Sequence, residues 1–375
     1  MKRTSIVVLI LLTCFEGVAL GQSPPCKHSP FWAEFHKQNM QRWNWCEHVL
    51  NVHNVGNLVL KWSYATAAVY SSPAVANGVV YVGDSSSNFY ALNAKTGAKL
   101  WSYTTGNVVY SSPAVANGVV YVGSYDGNLY ALNAKTGAKL WSYAMGDVDS
   151  SPTVADGVVY VGARGGRRVY ALKAKTGILL WSYTTNFDVE SSPAVVDGVV
   201  YVGSDDYNVY ALNSKTGAKL WSFTTSRDVF SAPAVANGVV YVGSYDGSLY
   251  ALNAKTGAML WSYTTGGGVE SSPAVANGVV YVGSDDWNVY ALNASTGAVL
   301  WSFTTANSVS SSPAVANGVV YVGSDDHNVY ALNAKTGAKL WSYNAGNAVY
   351  SSPALANGVV YVGAFGGNVY AFGLK

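Results

Sequence analysis

Charged residues are scarce in this chain. Only 11% of its 375 residues are Asp, Glu, Lys or Arg, and the formal net charge is +2. So small a net charge provides no general attraction to nucleic acid. The apolar run at residues 6–12 is too short to cross a bilayer. We therefore expect neither a nucleic-acid partner nor a membrane span.

Cysteines and catalytic motifs are also lacking. The chain has three cysteines, and none follows Cys46, so disulfides cannot hold most of the fold together. We find no Ser-His-Asp arrangement, no phosphate-binding loop and no CxxC motif. The histidines near the N-terminus do not have the spacing of metal ligands. The sequence thus predicts no catalytic residue and no metal site.

Tyrosine, glycine and valine are abundant instead, which favours strands and turns over helices. From residue 62 onward, a unit of about 40 residues recurs with nearly the same letters, and this period is typical of a solenoid, propeller or array. The unit reads Ser-Ser-Pro-Ala-Val-Ala-Asn-Gly-Val-Val-Tyr-Val-Gly, followed after a short variable stretch by Tyr-Ala-Leu-Asn-Ala-Lys-Thr-Gly-Ala-Lys-Leu-Trp-Ser-Tyr.

Each unit contains four predicted strands, which we call A to D. Strand A is Pro-Ala-Val-Ala and strand B is Val-Val-Tyr-Val-Gly, with the hairpin signal Asn-Gly between them. Strand C is Tyr-Ala-Leu-Asn, and a Lys-Thr-Gly turn leads to strand D, Leu-Trp-Ser-Tyr. No connection is long enough for parallel crossovers, so the pattern predicts the four-stranded antiparallel blade of a propeller.

The number of blades follows from two counts. The proline of strand A and the tryptophan of strand D each occur eight times. The two series are out of phase, because a strand D at residues 58–66 precedes every strand A and the last unit stops after strand C. We therefore predict an all-β, eight-bladed propeller over residues 58–375, closed by the N-terminal strand, which completes the last blade.

The residues before the propeller have a different character. Residues 1–21 resemble a signal peptide, with Lys2, Arg3, an apolar core and a small-residue end, so we expect a periplasmic or extracellular protein. A lipoprotein anchored at Cys14 is the alternative. Residues 22–57 form an N-terminal arm, in which residues 31–43 could be a short helix packed on the propeller. In an exported protein, Cys26 and Cys46 could form a disulfide or remain free.

The run from Ala91 to Trp101, Ala-Leu-Asn-Ala-Lys-Thr-Gly-Ala-Lys-Leu-Trp, resembles the tryptophan-docking motif of the pyrroloquinoline quinone (PQQ) repeat family. This resemblance implies a propeller in which each tryptophan packs between blades. The family includes quinoprotein dehydrogenases and non-catalytic members, such as a lipoprotein of the outer-membrane protein assembly machinery. The adjacent cysteine pair and the long insertions of the dehydrogenases are absent from this sequence. The non-catalytic, secreted bacterial members are therefore the better match.

Function is expected on one face of the disc. The A–B and C–D turns are nearly constant among the repeats and rich in lysine, a pattern that solubility alone explains. The B–C and D–A loops vary and carry most of the acidic residues, and the residue before each Ser-Ser or Ser-Ala pair varies too. Because strand A is innermost, we expect these residues to ring one mouth of the central channel. The candidate ligand-binding residues are Tyr110, Asp149, Glu190, Phe230, Glu270 and Tyr350.

The B–C loop tips Tyr207, Trp287 and His327 are candidate partner contacts, because several aromatic side chains on one face indicate a contact surface. The Asp-Asp pairs of the same loops are expected to be turn residues rather than metal ligands. We predict a monomeric, non-catalytic binding or scaffolding module whose variable face binds a protein, peptide or glycan, without a cofactor. The alternative is a minimal quinoprotein dehydrogenase that binds PQQ and calcium at the channel mouth.

Overall fold

The computed structural model describes residues 32, 33, 35 and 41–375. Thirty-two strands form eight four-stranded antiparallel sheets, and a 3₁₀ helix, Val55–Asn57, precedes them. β1 is Leu58–Ala65. Blade 1 contains β2 (Ala74–Ala76), β3 (Val79–Gly83), β4 (Asn88–Asn93) and β5 (Lys99–Thr104). Blade 2 contains β6 (Ala114–Ala116), β7 (Val119–Gly123), β8 (Asn128–Asn133) and β9 (Lys139–Ala144). Blade 3 contains β10 (Thr153–Ala155), β11 (Val158–Ala163), β12 (Arg168–Lys173) and β13 (Leu179–Thr184).

The remaining blades repeat this order. Blade 4 contains β14 (Ala194–Val196), β15 (Val199–Gly203), β16 (Asn208–Asn213) and β17 (Lys219–Thr224). Blade 5 contains β18 (Ala234–Ala236), β19 (Val239–Gly243), β20 (Ser248–Asn253) and β21 (Met259–Thr264). Blade 6 contains β22 (Ala274–Ala276), β23 (Val279–Gly283), β24 (Asn288–Asn293) and β25 (Val299–Thr304). Blade 7 contains β26 (Ala314–Ala316), β27 (Val319–Gly323), β28 (Asn328–Asn333) and β29 (Lys339–Asn344). Blade 8 contains β30 (Ala354–Ala356), β31 (Val359–Ala364), β32 (Asn368–Leu374) and β1.

The closure of the ring is confirmed. β1 pairs antiparallel with β32, from Leu58 opposite Leu374 to Ala65 opposite Asn368, so the first strand of the chain is the outermost strand of blade 8. This pairing joins both ends of the propeller and leaves blade 8 with the same four strands as the others. The predicted all-β, eight-bladed architecture is therefore correct.

The strand-D tryptophans join neighbouring blades. Trp221 donates a hydrogen bond from Nε1 to the carbonyl of Ala254 in the next blade, at 2.9 Å. Its indole lies on Gly257 so closely that a Cβ there would be 2.7 Å from the ring. The tryptophan of each such blade thus packs on the Thr-Gly turn of the blade that follows it. Trp341 has no such turn ahead of it and donates to the carbonyl of Leu58 instead.

Serine pairs at the start of strand A line the channel with hydrogen bonds. The first hydroxyl of a pair donates to a carbonyl of the next blade, as Ser111 Oγ does to Ser150 O at 3.0 Å. The N–H of the second residue donates to the second hydroxyl of the next blade in most blades, as from Ser352 to Ser72 at 2.9 Å, although Ala232 offers no hydroxyl in blade 5. These buried polar groups are therefore satisfied around the axis, where the blades converge.

The N-terminal arm enters the channel and pairs with innermost strands. Trp32 forms a β-bridge with Val75, and Trp43 forms one with Val315. Arg42 is buried, and its guanidinium donates to the carbonyls of Pro313, Ser312, Pro353 and Phe35. The described residues of 31–43 form bridges, a turn and bends, while most of the stretch considered as a short helix lies outside the described residues. Backbone groups of Trp32, Ala33, Gln41 and Arg42 bond to the free edges of the inner strands.

Three other expectations concern the arm and leader. Cys46 is disulfide-bonded, while Cys26, its predicted partner, lies outside the described residues. The predicted signal peptide, with Cys14, lies outside them as well. Within the described part of the chain, no helix is long and apolar enough to cross a membrane.

Candidate functional site

A cavity of about 290 Å³ opens at the channel mouth on the variable face. Phe35 of the arm and six of the second serines also line it. Five of the six predicted site residues contribute to its wall. At the position directly before the Ser-Ser or Ser-Ala pair of each repeat, seven side chains line the cavity: Tyr70, Asp149, Glu190, Phe230, Glu270, Ser310 and Tyr350.

An aromatic cluster forms one side of the mouth. Tyr70 stacks on Tyr350 with ring centroids 5.2 Å apart and an interplanar angle of 10°. Tyr110, the sixth predicted residue, does not line the cavity but packs against Tyr70 at 4.6 Å. Phe365 meets Tyr70 and Tyr350 edge-on. This side therefore presents flat apolar surface with phenol groups among it.

The other side is acidic and is bridged by one arginine. Arg164 Nε lies 3.2 Å from Glu190 Oε1 and 3.7 Å from Asp188 Oδ2, and its Nη1 lies 3.7 Å from Asp149 Oδ2. The same Nη1 donates to the hydroxyl of Tyr125, which in turn donates to Asp149. Burial and the Asp149 charge raise the pKa of Glu190 to about 7, although Arg164 opposes this shift.

A second acidic group lies across the ring. Burial and then the charges of Asp285 and Asp325 raise the pKa of Glu270 to about 7. Burial and the Asp285 charge likewise raise the pKa of Asp325 to about 6. No cation forms an ion pair with these three carboxyls in the described part of the chain. The described residues contain no cluster of His, Cys, Asp or Glu with the geometry of a metal site.

The two members of each Asp-Asp pair have different roles. Asp286 is the turn residue that the sequence predicts, because it accepts hydrogen bonds from Asn288, the Tyr290 hydroxyl and the Gly266 N–H. These bonds lower its pKa despite partial burial. The first member, Asp285, has no side-chain hydrogen bond with the described residues, and burial raises its pKa. Both aspartates therefore lie in the predicted turn, but only the second uses its carboxylate in the turn's hydrogen bonds.

The first aspartates belong to an outer ring that sequence reasoning missed. In every blade, the backbone N–H at this position donates to a carbonyl of the preceding D–A loop, as Asp285 does to Gly268 and Tyr245 does to Asp228. The side chains nevertheless vary in size and charge, with five residue types in eight blades. An alignment of the repeats could have revealed this position, which directly follows the Asp, Ser or Ala after strand B. Its occupants are Ser85, Tyr125, Arg164, Asp205, Tyr245, Asp285, Asp325 and Phe365.

The predicted contact residues at the loop tips are exposed. Tyr207 and Trp287 expose 45% and 49% of their surface, and His327 is exposed as well. All three have a left-handed backbone, with φ of 70°, 74° and 77°. The equivalent residue in other repeats includes Gly247, with φ of 88°. Bulky side chains thus occupy a turn position that favours glycine.

Comparisons with known proteins find both quinoprotein dehydrogenases and BamB. The chain is 43% identical over 70 residues to the quinoprotein alcohol dehydrogenase PedE of Pseudomonas putida, covering 17% of this chain and 11% of that protein. It is 39% identical over 57 residues to the quinohemoprotein alcohol dehydrogenase of Comamonas testosteroni, covering 14% and 8%. The chain thus spans about a tenth of the length of these curated relatives.

Among solved structures, the fold is similar to a europium-containing methanol dehydrogenase (TM-score 0.83, 18% identity, 93% of this chain and 99% of that one). It is also similar to BamB from Moraxella catarrhalis (TM-score 0.73, 22% identity, 84% and 100%). At these identities the likeness shows the fold alone. The family model described as outer membrane protein assembly factor BamB matches residues 60–150, 146–264, 226–309 and 250–375. The chain therefore belongs to this family of PQQ-like propellers.

Proposed function

We propose that this protein is an exported, non-catalytic binding module that recognises a peptide segment of a protein partner at the mouth of its variable face. One observation carries the proposal. Two concentric rings of side chains, at the positions of Glu270 and Asp285, change from blade to blade while their backbone stays the same. A purely structural ring would repeat one residue, as the tryptophan and serine positions of the blades nearly do.

The size of the mouth favours a peptide over a whole domain. A cavity of about 290 Å³ is at the lower end of small-ligand pockets, so it fits one or two side chains. The tips Tyr207, Trp287 and His327 are exposed on loops of the same variable face and could extend the contact surface. Membership in a family described by an outer membrane protein assembly factor also favours a protein partner. A glycan remains the second ligand class for this surface, because stacked tyrosines also bind sugar rings.

The dehydrogenase alternative is supported by the similarity to quinoprotein alcohol dehydrogenases. The residues at the mouth do not fit PQQ, which is an anion with three carboxyl groups. Its wall includes Asp149, Glu190 and Glu270, and the adjacent Arg164 is already paired with carboxylates. Calcium would require converging oxygen ligands, and the described residues have no such cluster. We therefore assign no catalytic step to this site.

The test uses a variant that fills the mouth. Ser310→Tyr introduces the residue that blades 8, 1 and 2 carry at the same ring position, so the fold should be unchanged. Phage displaying random dodecapeptides would be selected on the wild-type protein, and the selected peptides measured by calorimetry against both proteins. Lys335→Tyr on the lysine-rich face is the matched control. We expect Ser310→Tyr alone to abolish binding.

Two results would overturn the proposal. Peptides that bind Ser310→Tyr as tightly as wild type, but fail to bind Lys335→Tyr, would move function to the lysine-rich face. Reduction of a dye by the protein with PQQ, calcium and an alcohol would establish the dehydrogenase instead. The wild-type protein should show neither dye reduction nor a change in the PQQ absorbance spectrum.

Export is the remaining part of the proposal. The signal-like residues 1–21 support it, and so does the disulfide at Cys46, because stable disulfides are typical of oxidising compartments. Fusion of residues 1–57 to a phosphatase that is active only outside the cytoplasm would test it. An inactive fusion would reject export.

A further inference from the structure

The acidic part of the mouth already holds one guanidinium, that of Arg164. The planar guanidinium of Arg164 lies among Asp149, Asp188 and Glu190, at 3.2–3.7 Å from each carboxylate. It also donates to the Tyr125 hydroxyl at 3.0 Å and lies near the face of that ring. Arginine's fork of donors suits this geometry, in which carboxylates and an aromatic ring converge.

The opposite wall offers similar groups without the arginine. Glu270 occupies the same ring position as Glu190, and Asp285 and Asp325 occupy the outer-ring position that Arg164 occupies in blade 3. None of the three carboxylates has an ion pair or side-chain hydrogen bond with the described residues. One oxygen of Asp325, Oδ1, is fully buried without a partner. A buried, unpaired acceptor of this kind is costly and calls for a ligand donor.

The Glu270 carboxylate also faces a cavity that it shares with the aromatic cluster. Glu270, Ser310 and Tyr350 line the cavity from consecutive blades, so the carboxylate and the stacked tyrosines face one space. A cation that is flat and partly apolar would contact both sides at once. A guanidinium satisfies this condition, because it stacks on aromatic faces and donates in its own plane to carboxylates.

We propose that the mouth binds an arginine side chain of the peptide partner, with its guanidinium between the Glu270 wall and the Tyr350 aromatic cluster. This inference rests on the proposed function and names the residue that the site selects. Arg164 already pairs with Glu190 on the opposite wall, whereas Glu270 has no ion pair with the described residues. The lysine-rich face cannot substitute, since its charge has the wrong sign.

The test compares two peptides that differ only in charge. Acetyl-Gly-Arg-Gly-amide and its citrulline counterpart have nearly the same shape, but citrulline is neutral. Calorimetry at pH 8 and low salt should show one site for the arginine peptide and affinity at least about tenfold lower for the citrulline peptide, as expected for loss of charge-assisted hydrogen bonds. Burial raises the pKa of Glu270 to about 7, so its carboxylate is mostly ionised at pH 8.

Three variants locate the site. Glu270→Gln should weaken arginine binding by about tenfold, whereas Asp197→Asn, the same charge change on the opposite face, should leave it unchanged. Arg164→Gln should free the Glu190 wall and raise the stoichiometry from one arginine peptide to two. A thermal melt of each variant confirms that it is folded.

The outcomes separate this inference from the proposed function. Equal binding of the two peptides, or an unchanged affinity for Glu270→Gln, would overturn the arginine assignment. If phage-selected peptides without arginine still bind and are blocked by Ser310→Tyr, the binding module stands and only the ligand class is wrong. If no selected peptide binds at the mouth, both proposals fail.

Discussion

Truncation of one strand-D tryptophan tests how the blades are held together. Trp221 is 8% exposed, and its indole packs on Gly257 and lies 5.8 Å from the Tyr201 ring. A buried aromatic side chain removes about 150–250 Å² from water, which at about 25 cal/mol per Å² gives ~4–6 kcal/mol. Alanine retains a small part of this, so Trp221→Ala should lower the free energy of unfolding by about 3–5 kcal/mol.

The assay is equilibrium unfolding in urea, followed by circular dichroism because the substitution removes a fluorophore. Leu220→Ala is the matched control, since Leu220 is the adjacent residue on the same strand and is 52% exposed. It should change stability by no more than about 0.5 kcal/mol. Trp221→Phe should fall between them, because it keeps much of the packing but loses the indole hydrogen bond to the Ala254 carbonyl, which still accepts from the Tyr201 hydroxyl. If Trp221→Ala and Leu220→Ala had the same midpoint, the inter-blade docking argument would be refuted.

Three further predictions concern the variable face. The pKa of Glu270 is about 7 in the folded protein and 4.5 in the unfolded chain. The folded state therefore binds more protons between these values, and the free energy of unfolding falls as the pH rises through this range. Glu270→Gln should therefore raise the urea midpoint at pH 8 but not at pH 4; an equal effect at both would contradict the shift. Asp286→Ala should cost about 1.5–3 kcal/mol through its lost hydrogen bonds, while Asp285→Asn should be neutral or stabilising, and the reverse order in thermal melts would show that their roles are exchanged. Trp287→Gly relieves a left-handed backbone and should stabilise the protein by about 1 kcal/mol while weakening peptide binding; a lower melting temperature would reject the strain.

The position of the candidate mouth was predictable because it depends on repeat geometry. Strand A is innermost in a propeller, so the residues before it must surround the channel, and Glu190, Phe230 and Glu270 do so. The partners of these residues were not predictable. Arg164 reaches Asp149 and Glu190 from a loop, and neither the direction nor the reach of a loop side chain follows from its letters. The Asp-Asp pairs show the same limit, because two adjacent aspartates of one turn differ: Asp286 accepts hydrogen bonds and Asp285 accepts none at its side chain from the described residues.

The sequence by itself determined the strands, the blade number and the closure of the ring. Strands and hairpin turns depend on residues that are close together in the sequence, so they can be predicted from it. The phase offset between the prolines and the tryptophans shows that the N-terminal strand must complete the last blade. Only the tertiary structure decided the course of the arm. Its hydrogen-bond partners lie far along the chain, as Arg42 and Pro313 do, and they exist only after the ring has closed. The free inner edges of the blades then pair with described residues of the arm, as Val75 does with Trp32 and Val315 with Trp43, and no local sequence pattern records these contacts.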